Sequence, residues 1–413
     1  MNAAGERTPL PGAYWRLWTA GAISNLGDGV FAVALPLMAA RITDDRVSVG
    51  LIATFFTIPW LLFAVPVGVL IDRSDRRRVM VTADTCRAAL VGALALVAAF
   101  ADVQIWMLWV LAFGLGTGEV FFDSTSQTII PAIVPGEQLE RANGYSYATE
   151  IATNTFLGMP LGSVLFGFVV WLPFGLDAAS FVAAATLAAS LRGTFRPAPG
   201  GPSGQSMTQS LRAGVRWLWH HRLLRSVAIA AGSANLAYGA TQATLVLFAL
   251  DELGLGERLF GPVLAIVGAG SVLAGFTGGR VIQRLGRRAT IIVVGILPIL
   301  TCATVGLFPH PAVAVPMYAV QAASSTLFTI VTLSLRQQLI PDHLLGRVNS
   351  VYRWFAAGGM ALGALAGSFV AEAFGLRAPY FLAAALLAVP FGIVLLTFTT
   401  ARIDAALADA SAG

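Results

Sequence analysis

The amino-acid sequence predicts an all-α membrane protein with twelve transmembrane helices, arranged as two six-helix bundles that repeat in parallel. Composition, the spacing of apolar runs and an internal repeat lead to this fold class. Of the 413 residues, 57% are hydrophobic and 11% are charged, and the mean hydropathy is +0.76. Soluble domains have roughly 45–50% apolar and about 25% charged residues. This chain therefore has more apolar surface than one water-soluble core can bury.

Twelve segments are long and apolar enough to cross a bilayer, which takes about 20 residues in a helix. Each segment must be helical, because hydrocarbon offers no partner for backbone N–H and C=O groups. The segments are 14–39, 48–71, 79–101, 104–126, 142–170, 174–193, 225–250, 258–282, 289–309, 311–333, 349–373 and 377–400.

The arginines between these segments predict the orientation. An even number of spans places both termini on one side of the membrane. Most loop arginines fall on that side, whereas only Arg41, Arg46, Arg258 and Arg377 fall on the other. By the positive-inside rule both termini are cytoplasmic, in a multi-pass protein of the plasma membrane, the bacterial inner membrane. Topology thus explains the net charge of +5, and the lipid bilayer rather than nucleic acid is the expected partner.

A polar stretch in the middle of the chain separates the two predicted bundles. Residues 197–206 are rich in Pro, Gly and Ser, as in flexible linkers. Arginines and tryptophans alternate after it, which is typical of a helix lying on the membrane surface. The predicted domains are an N-terminal bundle over 1–193, a cytoplasmic linker with an interfacial helix over 194–224, and a C-terminal bundle over 225–413.

The two halves repeat each other in sequence. The ordered matches are 25–29 with 235–239, 68–77 with 279–288, 127–131 with 337–341, 141–143 with 347–349, and 178–185 with 378–385. Because each copy contains six spans, the copies have the same orientation. Parallel six-helix repeats are an architecture of secondary transporters, in which the substrate cavity lies between the repeats.

One charged loop of this repeat resembles a family signature. The sequence GVLIDRSDRR at 68–77 resembles the loop motif of the major facilitator superfamily, Gly-x-x-x-Asp-Arg-x-Gly-Arg-Arg, with Asp75 in place of the Gly. SNLGDGVF at 24–31, LDAASFVAAATL at 176–187 and LIPDHLLGRVNSVY at 339–352 resemble the branch of enterobactin exporters and macrolide efflux pumps. The resemblance implies the fold of that superfamily and secondary active transport by alternating access. Together with the intramembrane acids and the aromatic residues described below, it predicts proton-coupled export of a small amphiphilic molecule, such as a drug, a siderophore or a secondary metabolite.

The resemblance also implies a cytoplasmic gate. Asp72 is expected to face the start of the eleventh helix near Asn349 and Ser350, where exposed N–H groups favour a carboxylate by about 0.3–1 kcal/mol. Asp123 is expected to pair with Arg76 or Arg77. The alternative is that the arginines only anchor the topology. The predicted gate residues are Gly68, Asp72, Arg73, Arg76, Arg77 and Asp123.

Comparison of the two copies identifies acidic residues that the fold does not require. Asp28 aligns with Tyr238, and Glu119 aligns with Thr329. An acid at membrane depth costs about 2.5–3.5 kcal/mol, so it should face a cavity or a partner. Asp84 and Arg87 are three residues apart and share a helix face, which predicts an ion pair. The candidates for proton coupling are Asp28, Asp84, Arg87, Glu119 and Glu150; the alternative is structural hydrogen bonding or a static ion pair.

An aromatic and neutral set is predicted to line the substrate cavity, a composition that suits an amphiphilic molecule. The alternative is that these side chains face lipid or pack inside the bundles. The set is Phe31, Trp60, Tyr145, Tyr238, Gln242, Gln321 and Tyr352. In addition, residues 156–167 resemble a degraded antiporter signature, although close helix packing also explains them.

The sequence contains no phosphate-binding loop, catalytic triad or metal-binding spacing, so no cofactor and no enzymatic activity are expected. Its two cysteines lie in apolar segments and indicate no disulfide framework. The expected partners are a small-molecule substrate and protons, and a monomer is expected. Two alternatives remain open at this stage: a proton-coupled nutrient importer on the same fold, and a non-transporting membrane sensor or scaffold.

Overall fold

The computed structural model describes residues 9–71, 74–135, 138–191, 195, 215–340 and 342–397. Within these ranges the regular structure is helical, and no β-strand occurs. The helices of the N-terminal half are α1 (Gly12–Ile42), α2 (Arg46–Ile71), α3 (Arg76–Phe100), α4 (Ile105–Ile133), α5 (Leu139–Glu150), α6 (Met159–Phe166) and α7 (Leu172–Ala189). Those of the C-terminal half are α8 (Arg222–Gln242), α9 (Glu257–Leu285), α10 (Arg287–Leu307), α11 (Pro311–Leu339), α12 (Asp342–Phe374) and α13 (Ala378–Thr397).

Among the described residues, ten helices are individually long and apolar enough to cross a membrane. The other two predicted spans are divided. In the first, a π-helical segment, Ile151–Gly158, joins α5 to α6. In the second, the short helix Leu245–Leu247 and the π-helical segment Phe248–Glu252 follow α8. Pro160 follows the first π-helical segment and offers no N–H to the carbonyl four residues earlier, which favours a local change of helical pitch.

The eleventh predicted span begins earlier than the sequence pattern indicated. Helix α12 starts at Asp342 instead of 349, so Asn349 and Ser350 lie two turns inside the helix. Their N–H groups are therefore not among the exposed ones of a helix N-terminus, which belong to its first four residues. The apolar stretch begins only near 351, and for this reason hydropathy alone places the start too late.

The chain forms two compact units. The first unit comprises Met1–Leu35 and Leu62–Gly201, and the second comprises Pro36–Leu61 and Pro202–Gly413. In the first unit α3 packs against α4 and α7. In the second unit α8 packs against α12 and α13, and α11 packs against α9 and α10. The end of α1 and the start of α2 thus belong to the second unit.

Glycines at equivalent repeat positions allow the same close helix contacts in both units. A Cβ at Gly29 would overlap a backbone carbonyl of the π-helical segment that follows α5, and one at Gly239 would overlap a backbone carbonyl of α12. In the same way, a Cβ at Gly162 would overlap the backbone of α1, and one at Gly367 would overlap that of α8. The internal repeat of the sequence is therefore also a repeat of helix packing.

The segment Pro36–Leu61 contacts the rest of the second unit through polar and small side chains. Arg46 Nη1 donates a hydrogen bond to the carbonyl of Ala371, at 2.9 Å. Arg41 pairs with Glu257 through two guanidinium nitrogens, of which Nε is 2.7 Å from Oε1. A Cβ at Gly50 would overlap the Ser368 side chain, so a larger residue at position 50 would push this segment away.

The start of α3 is anchored by polar contacts. The Asp75 side chain caps the helix by accepting from the backbone N–H groups of Arg77, at 3.0 Å, and Arg78, at 3.3 Å. The Arg77 side chain donates to the carbonyl of Leu191, beyond the end of α7, at 2.8 Å. The Asp that replaces the motif Gly therefore acts as an N-cap residue.

Candidate functional site

A buried ion pair lies within the first unit. Asp84 and Arg87 occupy neighbouring positions on one face of α3, and Arg87 Nη2 donates to Asp84 Oδ1. The Asp84 and Arg87 side chains are 0% and 4% exposed. The second Asp84 oxygen and Arg87 Nε are buried without a hydrogen-bond partner. Two charges so far from solvent are stable only while both are present.

Aromatic rings and one glycine shape the space around this guanidinium. The Arg87 Cζ lies 4.3 Å from the centroid of the Phe181 ring and 4.8 Å from that of Phe122. Such cation–π contacts contribute about 0.5–2 kcal/mol. On α4, a Cβ at Gly118 would come within 2.6 Å of Arg87 Cγ. Helices α3, α4 and α7 together hold the Arg87 side chain in place.

Several acidic side chains surround Arg87. Asp28 on α1 and Glu119 on α4 interact with it electrostatically, in addition to Asp84. Asp28 and Glu119 are partly exposed. Asp28 Oδ2 is 3.4 Å from the Ser24 hydroxyl, whereas Glu119 Oε2 is buried without a partner. The proton-coupling candidates Asp28, Asp84, Arg87 and Glu119 therefore form one cluster.

Two further acids extend the cluster along α4 and α5. Asp123, which is partly exposed, interacts electrostatically with Glu119 and Asp28. Glu150, at the end of α5, is exposed and interacts with Glu119. The cluster thus reaches from a buried ion pair to carboxyl groups in contact with the surface of the first unit.

The sequence analysis missed one member of this cluster, Asp177 on α7. Its side chain is fully buried and interacts electrostatically with Asp28 and Arg87. A signal for it was present, because the repeat aligns the acidic Asp177 with the basic Arg377. Asp177 is the acidic residue of LDAASF, a stretch that the sequence analysis uses only for its resemblance to the exporter branch.

The structure distributes the predicted cavity residues over both units. In the first unit, Phe31 is buried and packs edge-on against Phe174, with ring centroids 6.0 Å apart. Tyr145 is exposed, and its ring lies 6.1 Å from that of Trp15. Phe31 is therefore part of the packed interior of its unit, whereas Tyr145 has a free surface.

In the second unit, Tyr238 and Gln242 form an exposed pair, in which Gln242 Nε2 donates to the Tyr238 hydroxyl at 2.8 Å. Gln321 accepts from the hydroxyl of Thr301 at 3.3 Å. Trp60 is partly exposed. These side chains present hydrogen-bonding groups and aromatic surface without a charge.

Tyr352 differs from the other predicted cavity residues in the second unit. Its hydroxyl donates to the carbonyl of Leu224 at 2.7 Å, and the Arg336 Cζ lies 4.5 Å from the centroid of its ring. The side chain is 8% exposed. These contacts connect α12 to α8 and α11. The hydroxyl of Tyr352 is thus engaged in a hydrogen bond inside the second unit.

Part of the predicted gate lies outside the described residues, namely Asp72 and Arg73. Gly68 lies in α2, and Arg76 and Arg77 form the first turn of α3. The backbone N–H of Arg76 donates to the carbonyl of Phe195 at 3.4 Å. In the part of the chain that is described, no group of three or more His, Cys, Asp or Glu side chains has the arrangement of a metal site.

Helices of membrane length in two repeated units are the architecture of a transporter of the major facilitator type. A family model described as "Transmembrane secretion effector" matches residues 6–412. The chain belongs to this family of major facilitator superfamily transporters. It is accordingly a multi-pass membrane transporter of the efflux type, and not an enzyme.

Relatives in sequence span nearly the whole chain. Macrolide efflux protein A of Streptococcus pyogenes is 23% identical over 387 residues, covering 91% of this chain and 93% of that protein. The multidrug efflux pump Tap of Mycolicibacterium fortuitum is 26% identical over 421 residues, covering 94% and 95%. The enterobactin exporter EntS of Citrobacter koseri is 26% identical over 362 residues, covering 85% and 83%.

Solved structures show the same fold at lower identity. The crystal structure of the nucleoside transporter NupG matches with a TM-score of 0.75 and 14% identity, covering 94% of this chain and 100% of that chain. A bacterial homologue of the iron transporter ferroportin, in an inward-facing state, matches with a TM-score of 0.72 and 16% identity, covering 94% and 99%. These similarities concern the fold.

Proposed function

We propose that this protein exports a small amphiphilic organic molecule in exchange for protons, by alternating access. One observation carries the proton coupling: carboxyl groups from α1, α3, α4 and α7, four helices predicted to span the membrane, interact electrostatically with one guanidinium, that of Arg87. Intramembrane carboxyl groups are typical of proton relays in transporters.

The balance of charge around Arg87 favours protonated carboxyl groups beside it. Arg87 can neutralise one carboxylate, and Asp84 already pairs with it. Each further ionised carboxyl group would be an uncompensated charge in a poorly solvated place, which costs several kcal/mol. Asp28 and Glu119 avoid this cost by binding protons, and their partial exposure gives those protons a route to water. They are therefore the proposed coupling residues.

The substrate class is proposed from the relatives and from the uncharged lining. The relatives are named for macrolides, for multiple drugs and for enterobactin, all of which are efflux or export functions. Among the predicted cavity residues, Trp60, Tyr145, Tyr238, Gln242 and Gln321 retain aromatic or amide surface for such a molecule. Phe31 and Tyr352 are buried within their own units, so they are not among the side chains proposed to contact the substrate.

Alternating access is proposed with both termini in the cytoplasm, and with the charged loop after α2 as the cytoplasmic gate. In the proposed cycle, the contacts of Arg41 and Arg46 with the rest of the second unit break and form again. The Arg41 and Glu257 side chains are 39% and 26% exposed. Exposed ion pairs contribute about 0–1 kcal/mol, so thermal motion can break this one readily.

Transport into everted membrane vesicles tests this function. Vesicles with an acidic interior, prepared from cells that lack their own efflux pumps, are given erythromycin or ethidium as probes. Export predicts accumulation inside the vesicles, and collapse of the pH gradient should abolish it. Asp28→Asn and Glu119→Gln should remove the gradient-driven accumulation. Asp102→Asn, an exposed acid after α3, is the matched control and should retain it.

The alternatives give different outcomes. Loss of a probe from preloaded everted vesicles, driven by the same gradient, would indicate import. If neither probe nor a wider panel of amphiphilic compounds responds to the gradient, proton-coupled export of this class is refuted. Unchanged transport in both acid variants would refute the proposed coupling residues.

A further inference from the structure

Asp177 is a fully buried carboxyl group of the first unit that the proposed mechanism does not use. It lies in α7 with 0% of the residue exposed. Oδ1 is 3.4 Å from the Ser180 hydroxyl, but that hydroxyl donates at 2.8 Å to the backbone carbonyl of Asp177 itself. Oδ2 is buried without any hydrogen-bond partner. An ionised carboxylate in this position would leave most of its hydrogen-bonding capacity unmet.

The Asp177 side chain is pressed against α1 beside Asp28. A Cβ at Gly27 would lie 2.5 Å from Asp177 Oδ1, so only glycine leaves room for this carboxyl group. Asp28 is the next residue along α1, and it interacts electrostatically with Asp177. One of the two acids is fully buried and the other is partly exposed. This arrangement suits the passage of a proton between an inner and an outer carboxyl group.

The charged groups around Asp177 leave it without a dedicated cation. Asp28 of α1 and Arg87 of α3 interact electrostatically with Asp177. Asp84 of α3 and Asp123 and Glu119 of α4 interact with Asp28. Within the described part of the chain, Arg87 is the cation that interacts with Asp177, and it is already paired with Asp84. A second carboxylate in this pocket would carry the cost of a buried unpaired charge.

We propose that Asp177 is a second proton-carrying site of the transport cycle, exchanging its proton with Asp28. In this step the O–H bond of the Asp177 carboxylic acid breaks, and its proton forms an O–H bond on the Asp28 carboxylate. Asp177 becomes the carboxylate and interacts with the Arg87 cation, and Asp28 releases the proton to water. The inference rests on the proposed proton coupling and adds an inner site to it.

Infrared difference spectroscopy of the purified full-length protein at neutral pH tests the inner site without any substrate. The C=O stretch of a buried protonated carboxyl group should be present in the wild type and lost in Asp177→Asn. It should be unchanged in Asp102→Asn. Ser180→Ala keeps the acid but removes its hydroxyl neighbour, so it should shift the same band. This second variant keeps the test decisive if Asp177→Asn does not fold.

Proton-driven accumulation of ethidium in proteoliposomes then tests the role of the site. Each coupled proton contributes about 1.4 kcal/mol per pH unit of gradient, which corresponds to a factor of ten in the ratio of ethidium inside to outside. Loss of one coupled proton therefore lowers the limiting accumulation about tenfold per pH unit. Asp177→Asn should show this loss while still exchanging ethidium across the membrane without a gradient. If the wild type is uncoupled, the proposed function fails. If the wild type is coupled, an unchanged limit together with an unchanged infrared band in Asp177→Asn refutes the inner site alone.

Discussion

Removal of the Arg87 guanidinium tests whether the buried cluster depends on it. Arg87→Met keeps much of the side-chain volume but leaves Asp84 as a buried carboxyl group without its partner. Because the two side chains are 4% and 0% exposed, solvent cannot replace the lost charge. Breaking a buried pair in this way costs about 3–5 kcal/mol.

This free energy should be visible as a lower unfolding temperature in detergent. For a unit of this size, 1 kcal/mol corresponds to roughly 2–4 °C, so Arg87→Met should lower the Tm by about 6–20 °C. Asp84→Asn combined with Arg87→Met removes both charges and should recover a large part of the loss. Arg41→Met breaks a pair whose side chains are 39% and 26% exposed and should cost only about 0–1 kcal/mol.

The comparison between the two arginines is the decisive measurement. Equal Tm shifts for Arg87→Met and Arg41→Met would show that burial does not control the energy of these pairs. Strict additivity in the Asp84 and Arg87 double-mutant cycle would contradict a direct interaction between them. Either result would contradict the claim that the Arg87 guanidinium compensates the negative charge of the cluster.

Three further predictions concern helix contacts outside the acidic cluster. Gly363→Ala should destabilise the protein by about 1–3 kcal/mol in the same thermal assay, because the new Cβ would overlap a backbone carbonyl of α8. Gly232→Ala is the control: its Cβ would face open space, so this variant should be neutral or stabilising. Asp75→Ala should cost about 1 kcal/mol through loss of the cap of α3, with Asp75→Asn largely restoring the unfolding temperature. Tyr352→Phe removes the hydrogen bond to the Leu224 carbonyl and should lower the free energy of unfolding by about 0.5–1.5 kcal/mol. The KM for transport should not change; a changed KM would indicate that Tyr352 contacts the substrate.

The sequence predicted those features that depend on residues close together in the chain. Asp84 and Arg87 are three residues apart on a helix, and the structure contains an ion pair between them. The repeat predicted equivalent halves, and the structure shows equivalent contacts at Gly29 and Gly239. Boundaries were less accurate where polar residues begin a helix, as at Asp342.

Features that depend on which helices meet were not predictable from one sequence. Asp177 is as short and polar as a surface residue, and only the packing of α7 against α1 buries it. Phe31 and Tyr352 fit a substrate cavity by composition, but neighbouring helices cover them. The assignment of Pro36–Leu61 to the second unit likewise depends on contacts between distant parts of the chain.

The sequence by itself determined that this protein is a helical membrane transporter built from two repeats. Apolar runs of bilayer length, their number and their periodic recurrence are properties of the chain alone, since lipid forces each run to satisfy its own backbone. Only the tertiary structure decided which acids interact with Arg87 and which of them are fully buried. The energy of a charge depends on the charged groups around it and on its distance from water. For Arg87, both depend on side chains that four different helices bring together.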